Sequence, residues 1–149
     1  MRSSVIVCGA RTPMGRLLGS LSDISAPALG AHAIRSALDK CAVDPQDVQH
    51  VVMGNVIQAG NGQNPARQAA LAAGLGMHIP AVTLNNVCLS SMEAIAQADL
   101  RIRAGVADIV LAGGMESMSN APHLLPRSRQ GVKYGDWQLV DSVAHDALT

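Results

Sequence analysis

Aromatic side chains are almost missing from this chain. Tyr134 and Trp137 are the only two among 149 residues, and there is no Phe. The interior must therefore be built from Ala, Val, Leu, Ile and Met, and with hydrophobic residues at 48% there is enough apolar material for one core. Small side chains let helices lie close against a sheet, which suits layered α/β packing. A charge excess of either sign is also absent, since eleven basic and eleven acidic side chains cancel. That excludes the electrostatic footprint of a nucleic-acid-binding surface and a polybasic anchor for a membrane surface. No apolar run reaches the length of a membrane span. No secretory leader is expected, because Met1-Arg2-Ser3-Ser4 passes at once into a short strand-like run with no long apolar core before Arg11. Cysteine is scarce: Cys8, Cys41 and Cys88 lie far apart, form no CxxC pair and fit no disulfide framework. This points to a reducing compartment, with cytoplasm as the default. His32, His50, His78, His123 and His145 show neither HxxxH nor HExxH spacing. No metal site is expected, and each reads as a surface or helix-end histidine.

What is present is an alternation of strand and helix patterns. Val5-Ile6-Val7-Cys8 predicts a buried strand, followed by Gly9 and the turn-rich Arg11-Thr12-Pro13. Residues 26–41 predict a helix with Ser25 as N-cap, Pro27 in the first turn, and Gly30, Ile34, Ala37, Leu38 and Cys41 on one face. Asp44-Pro45 predicts a short helical turn, and Val51-Val52-Met53 a second strand ending near Gly54. Asn64 to Gly74 is punctuated as a short helix by Asn at the cap, Pro at the first position and Gly at the close. Pro80 to Leu84 predicts a third strand, residues 88–104 a third helix stopped by Gly105, and Asp108 to Ala112 a fourth strand ended by Gly113-Gly114. Continuous apolar strands separated by helices predict a mostly parallel sheet covered on both faces, wound right-handedly. Ligands in such folds gather outside the carboxyl ends of the strands. From Met115 the pattern changes to a loop marked by Ser117, Ser119, Asn120, Pro122 and Pro126, with a basic tint from Arg127, Arg129 and Lys133. Three scattered charges there read more readily as a solvated loop than as an anion site. Asp136 to Thr149 begins another apolar-periodic stretch, so the sheet and this element together read as a severed piece rather than a finished domain.

Cys88 carries the most chemical information. It sits in Leu84-Asn85-Asn86-Val87-Cys88-Leu89-Ser90-Ser91-Met92-Glu93, between a strand pattern and an alanine-rich helical pattern. A thiol at that junction meets the positive end of a helix, which favours thiolate and would make a nucleophile. Position alone leaves a second reading open, that of a small buried hydrophobe. Cys8, inside a strand pattern, and Cys41, at a helix end, read as packing residues. Gly60-Asn61-Gly62-Gln63 lacks the Gly-Lys-Ser/Thr ending of a P-loop and reads as a turn, and Gly9-Ala10-Arg11 lacks the GxGxxG pattern.

Several segments, in order, resemble the thiolase family, the acyl-CoA C-acetyltransferases. They are Val5-Ile6-Val7 with Ala10-Arg11-Thr12-Pro13-Met14-Gly15, Val52 to Val56 with Gln63 to Ala70, Pro80 to Asn85 leading into Cys88, and Gly113-Gly114-Met115-Glu116-Ser117-Met118-Ser119-Asn120-Ala121-Pro122-His123. The resemblance implies the first half of a layered thiolase-like α/β fold. Residues 1–118 would form an incomplete N-terminal domain and residues 119–149 the start of a coenzyme A-binding loop region. It implies Cys88 as the catalytic nucleophile of a two-step acyl transfer that forms or cleaves 3-ketoacyl-CoA. Acyl-CoA thioesters would be the substrates, with no permanently bound cofactor. A homodimer or homotetramer is implied, with Pro80 to Asn85 near its two-fold axis, and neither nucleic acid nor membrane as partner. Asp146-Ala147-Leu148-Thr149 resembles a family D-G-L-T stretch with Ala147 in place of Gly, which makes Leu148 a candidate substrate contact. After the cysteine the family often has Gly-Ser-Gly where Leu89-Ser90-Ser91 stands here, and the bulk of Leu89 would reshape the pocket beside the thiol. The family's second half supplies an activating histidine, a second cysteine and an N-E-A-F motif, none of which occurs in these residues, so this chain alone is expected to be inactive. Two other readings are a decarboxylating 3-ketoacyl synthase-like condensing enzyme and a non-catalytic lipid-binding or interaction half-domain.

Overall fold

Ser25 and Asn64 do at their helix starts what their side chains favour. Ser25 Oγ accepts from the N–H of Ala28 at 3.3 Å and Pro27 fills the first turn, opening α1 at Ala26–Cys41. The buried stripe of α1 is Ala26, Pro27, Gly30, Ala31, Ile34 and Leu38. Asn64 Oδ1 accepts from the N–H of Arg67 at 3.2 Å and opens α2 at Pro65–Ala72. The same Asn64 accepts from Thr83 Oγ1 at 2.7 Å and donates to the Ala81 carbonyl at 3.0 Å, so the cap also ties α2 to the strand beside it. Asp44 caps a short 3₁₀ turn at Pro45–Asp47 through the N–H of Gln46. This computed structural model describes residues 2–148.

Three strands, β1 (His50–Gly54), β2 (Ala81–Leu84) and β3 (Val110–Gly114), form a parallel sheet in the order β2–β1–β3. In this register Val52 lies opposite Val82 on one side and Ala112 on the other. As the central strand, β1 is buried on both faces, and Val51 and Val52 are 0% exposed. Side chains alternate along it. Val51 and Met53 join the core cluster that α1 and α2 supply, while Gly54 faces the start of α3 (Ser90–Arg103), where Ser90 stands against it. The sheet therefore has helices on both faces, as the alternating pattern predicts.

Four expectations need correction. Val5 to Cys8 does not form a strand: the segment pairs with no strand, and Val5, Ile6 and Val7 are 78, 81 and 73% exposed. These residues line a groove of about 470 Å³ together with Val110, Leu111 and Ala112, and no ladder joins the segment to β3. An apolar run becomes a strand only where a neighbouring backbone is close enough to pair. The third helix begins at Ser90, not at residue 88, because Ser90 rather than Cys88 organises its first turn. The fourth predicted strand starts at Val110 and includes Gly113 and Gly114, since both glycines pair with the end of β1. The loop after Met115 holds a 3₁₀ turn at Met118–Asn120 and a small antiparallel pair, β4 (His123–Leu124) with β5 (Val140–Asp141), before a short helical turn at Ala144–Leu148.

The cysteines also depart from expectation. Cys8 and Cys41 are joined as a disulfide, with Cα atoms 6.0 Å apart and a sequence separation of 33. The N-terminal segment runs beside the end of α1, where Lys40 Nζ also donates to the Gly9 carbonyl at 3.3 Å. In the chain-entropy account a closed loop of this size stabilises the fold by about 3–4 kcal/mol. Reduction should therefore lower the denaturant midpoint of the chain by a corresponding amount, and Cys41→Ser should reproduce the shift without reductant. A midpoint indifferent to both treatments would show that the link does not restrain the fold.

Candidate active site

The carboxyl ends of the three strands meet the start of α3, and small residues make that meeting possible. A Cβ placed at Gly54 would lie 2.6 Å from Ser90 Cβ, and one placed at Gly114 would overlap Ser91 Oγ. Without side chains at these two strand ends, the first turn of α3 sits directly on the sheet edge. Ser90 is buried, accepts at Oγ from the N–H of Asn86 at 2.9 Å and donates to the Val87 carbonyl at 2.6 Å. The intervening elbow is tight enough to place Val87 at φ 48°, in the left-handed region that a β-branched residue rarely enters.

Cys88 follows that strained residue. It is a free thiol and exposed, so the alternative of a small buried hydrophobe is overturned. It lines a cleft of about 280 Å³ whose walls come from the end of β1 (Gly54, Asn55, Val56), the elbow and first turn of α3 (Val87, Ser90, Ser91), and the end of β3 (Gly114, Met115, Glu116). This is the sheet edge at which parallel α/β folds collect ligands. Leu89 is 54% exposed and is not among the residues that line this cleft.

Glu116 organises the opposite wall. Its Oε2 accepts from the N–H of Val56 at 2.8 Å, and its Oε1 accepts from Asn55 Nδ2 at 2.9 Å and from the N–H of Ile57 at 3.3 Å. Asn55, 1% exposed, gives its other amide hydrogen to the Met115 carbonyl at 3.2 Å. Burial pushes the Glu116 carboxyl above its ordinary value, and the N–H groups of Val56 and Ile57 and the Asn55 amide hold it back. Nothing in the spacing of the sequence singles out Glu116, because its partners lie about sixty residues away. The available signal is a lone carboxylate two residues beyond a glycine-ended apolar strand.

The other candidates lie elsewhere. Among the described residues no histidine lines the cleft. His50 opens β1 at the amino end of the sheet, away from the cleft, and its Nδ1 is buried without a partner. Burial first, and then the positive charge of Arg101, hold its imidazole below the ordinary value. No three His, Cys, Asp or Glu side chains gather among the described residues in a way that would hold a metal ion. Arg127, Arg129 and Lys133 stand on an exposed loop. Leu148 is 67% exposed in the last helical turn and is not brought to the cleft that holds Cys88. No helix among the described residues is long and apolar enough to cross a membrane.

Comparison with known proteins places these features. The family model described as "Thiolase, N-terminal domain" matches residues 4–149. The chain is 59% identical over 148 residues to a Mycobacterium leprae protein named "Probable acetyl-CoA acetyltransferase", a match covering 99% of this chain and 38% of that protein. An acetyl-CoA acetyltransferase of Cupriavidus necator is 52% identical over 148 residues, with the same coverage of each chain. A cytosolic acetyl-CoA acetyltransferase of Gibberella zeae is 54% identical over 144 residues, covering 97% of this chain and 36% of that protein. The chain thus spans little more than a third of the length of the curated relatives it matches.

The raised Glu116 carboxyl has a consequence for stability. The folded chain holds this proton more tightly than the unfolded chain does. The group's stabilising contribution is therefore complete below its ordinary value and is lost as pH rises through the raised one. Glu116→Gln should remove that part of the pH dependence of the melting temperature. An identical pH profile in the variant would contradict the burial of this charge.

Proposed function

The chain belongs to the thiolase family, and from that premise we propose that it carries the nucleophile of an acetyl-CoA acetyltransferase. The observation that carries the reading is the placement of Cys88: a free, exposed thiol in a cleft at the carboxyl edge of a parallel sheet, in front of a helix N-terminus. Cys88 as thiolate attacks the carbonyl of an acyl-CoA. Coenzyme A leaves as its thiolate, which takes up the proton that an activating base removed from Cys88, and the acyl group becomes a thioester on Cys88. A carbanion formed by removing a proton from the methyl group of acetyl-CoA then attacks that thioester, which releases 3-ketoacyl-CoA and the Cys88 thiolate. Thiolysis is the reverse. A thioester keeps the acyl carbon electrophilic in a way an oxygen ester does not. The backbone N–H of Cys88, just ahead of α3, would stabilise the oxyanion of each tetrahedral intermediate.

The cleft supplies Cys88 and Glu116 as its titratable side chains, and Glu116 is committed to three donors. An activating base and a proton-handling group for the acetyl unit must come from outside this cleft wall. In this reading they belong to the remainder of a longer enzyme, residues 1–118 are one incomplete α/β domain, and residues 119–149 begin the region that receives coenzyme A, with Leu148 toward the pantetheine arm. The substrates are coenzyme A thioesters, without a resident cofactor. Cytoplasmic placement fits the cytosolic relative and the reduced thiol that the chemistry needs, though the Cys8–Cys41 link pulls the other way.

Residues 1–149 alone should show no measurable thiolysis of acetoacetyl-CoA. The full-length protein should be active, and Cys88→Ala should abolish that activity with little loss of fold, followed by the 3-ketoacyl-CoA absorbance. Full activity in the Cys88→Ala protein would remove the nucleophile. Strong activity in residues 1–149 would show that the base lies within them. The same reading includes a homodimer or homotetramer. Strand β2 lies at the edge of the sheet with Val82 40% exposed, which supports Pro80 to Asn85 as the contact. A full-length protein that sediments as a dilution-resistant monomer would refute the assembly.

A further inference from the structure

The contacts of Glu116 do not stop at the cleft wall. The N–H of Val56 donates to Glu116 Oε2 at 2.8 Å, and the carbonyl of the same residue accepts from Asn85 Nδ2 at 3.4 Å. Asn85 Oδ1 in turn accepts from the N–H of Val87 at 2.9 Å. Val87 is the residue at φ 48°, and Cys88 is next in the chain. A non-glycine residue held in the left-handed region costs about 1–3 kcal/mol and persists only where its surroundings enforce it. Two grips enforce it here. On the carbonyl side, the buried Ser90 donates from Oγ at 2.6 Å and from its N–H at 3.1 Å. On the N–H side stands Asn85, whose side chain is exposed and would rotate freely unless its amide were aimed. The Val56 carbonyl aims it, and Glu116 holds Val56.

The chemistry of the anchor is specific. Each oxygen of Glu116 faces N–H donors and neither faces an acceptor. Only an ionised carboxylate satisfies both sides, because glutamine has a single acceptor oxygen and would turn an NH₂ toward another donor. Protonation relieves the cost of burying the charge, but it sets an O–H against an N–H, so the neutral form is the easier one to bury and the ionised form is the one that grips. Cys88 is the one other titratable side chain lining the cleft.

We propose that Glu116 is a positioning residue for the nucleophile. Acting through Val56 and Asn85, it holds Val87 in its left-handed conformation and so fixes the direction in which Cys88 is presented. The inference rests on the acyl-transfer reading for what Cys88 then does, whereas the relay itself is read from the contacts.

Amide hydrogen exchange on the 149-residue chain tests the relay. In the native sequence, protection of the Val87 N–H, corrected for intrinsic exchange, should fall by about tenfold between neutral and acid pH. Glu116→Gln should show the low value throughout, with Val51, Val52 and Met53 as protected as before. A Cys88→Ser background removes the other titration in the cleft. Asn85→Ala, at an exposed position that does not threaten the fold, should unprotect Val87 while leaving Val56 and Ile57 protected, which orders the relay. In the full-length protein, Glu116→Gln should lower kcat by about tenfold with KM little changed, and Val87→Gly should recover part of the loss, because glycine adopts positive φ without strain. Native-like Val87 protection in Glu116→Gln would overturn the proposal. So would a loss shared equally by Val51 to Met53, or lost Val87 protection with kcat unchanged. If the full-length native protein has no acetyltransferase activity, the acyl-transfer reading falls, and the exchange data still decide the relay.

Discussion

The contact on which the site depends is the seating of the first turn of α3 against the glycines that end β1 and β3. Gly54 and Gly114 leave no room for a Cβ beneath Ser90 and Ser91. A side chain at either position would lift the helix start from the sheet, and the elbow between β2 and α3 would lengthen. With the helix seated, the chain has only Asn85 to Leu89 in which to turn from strand to helix. The left-handed Val87 and the exposure of Cys88 both follow from that short path. The reactive position is therefore a by-product of close packing below it, and the strain is the local cost of the approach.

A strained elbow needs polar support, and the cleft provides it unevenly. Ser90 belongs to the helix and is fixed by burial, so its grip on the Val87 carbonyl is rigid. The other grip passes through a loop, and a loop holds a geometry only as well as its own anchors do. Burying a carboxylate beside β1 costs desolvation, which shows as the raised Glu116 carboxyl. Three donors offset that cost and in return the Asn55 to Ile57 backbone is pinned. This pinning aligns the ends of β1 and β3 at the same level as the elbow, so that two strand ends and the first turn of α3 form a single cleft.

Legibility in the sequence followed the range of the interactions. α1 and α2 were readable to within a residue or two because Ser25, Asn64, Pro27 and Pro65 act on their own first turns. Cys88 stood out for a similar local reason, a thiol at a strand-to-helix junction. Apart from the exact first residue of α3, the departures are non-local. Val5 to Val7 has the composition of a strand, but pairing depends on a neighbour that the segment itself does not specify. The Cys8–Cys41 link needs the N-terminal segment to lie along the end of α1, which spacing along the chain does not reveal. Glu116 looked like one more motif residue, because its meaning is set by the N–H groups of Val56 and Ile57. The two-residue strands β4 and β5 are too short to leave any periodic trace.

The same distinction explains why the N-terminal segment is held although it does not join the sheet. Beyond the disulfide, the chain from Leu18 to Ile24 bonds to the loop after β3. The N–H of Leu18 donates to Ser119 Oγ at 2.9 Å, Ser117 Oγ donates to the Ile24 carbonyl at 2.9 Å, and Asn120 Nδ2 donates to the Ser22 carbonyl at 2.6 Å. Ser117 follows Glu116 directly. The residues that clamp the cleft wall and the residues that hold the N-terminal segment are thus neighbours on one short loop. On the other side of Glu116, Met115 lies buried between β3 and α1 and fixes the carboxylate's backbone from the core side. Packing at Met115 therefore ties the polar clamp to the core, while Ser117, Ser119 and Asn120 on the same loop tie it to the chain that precedes α1.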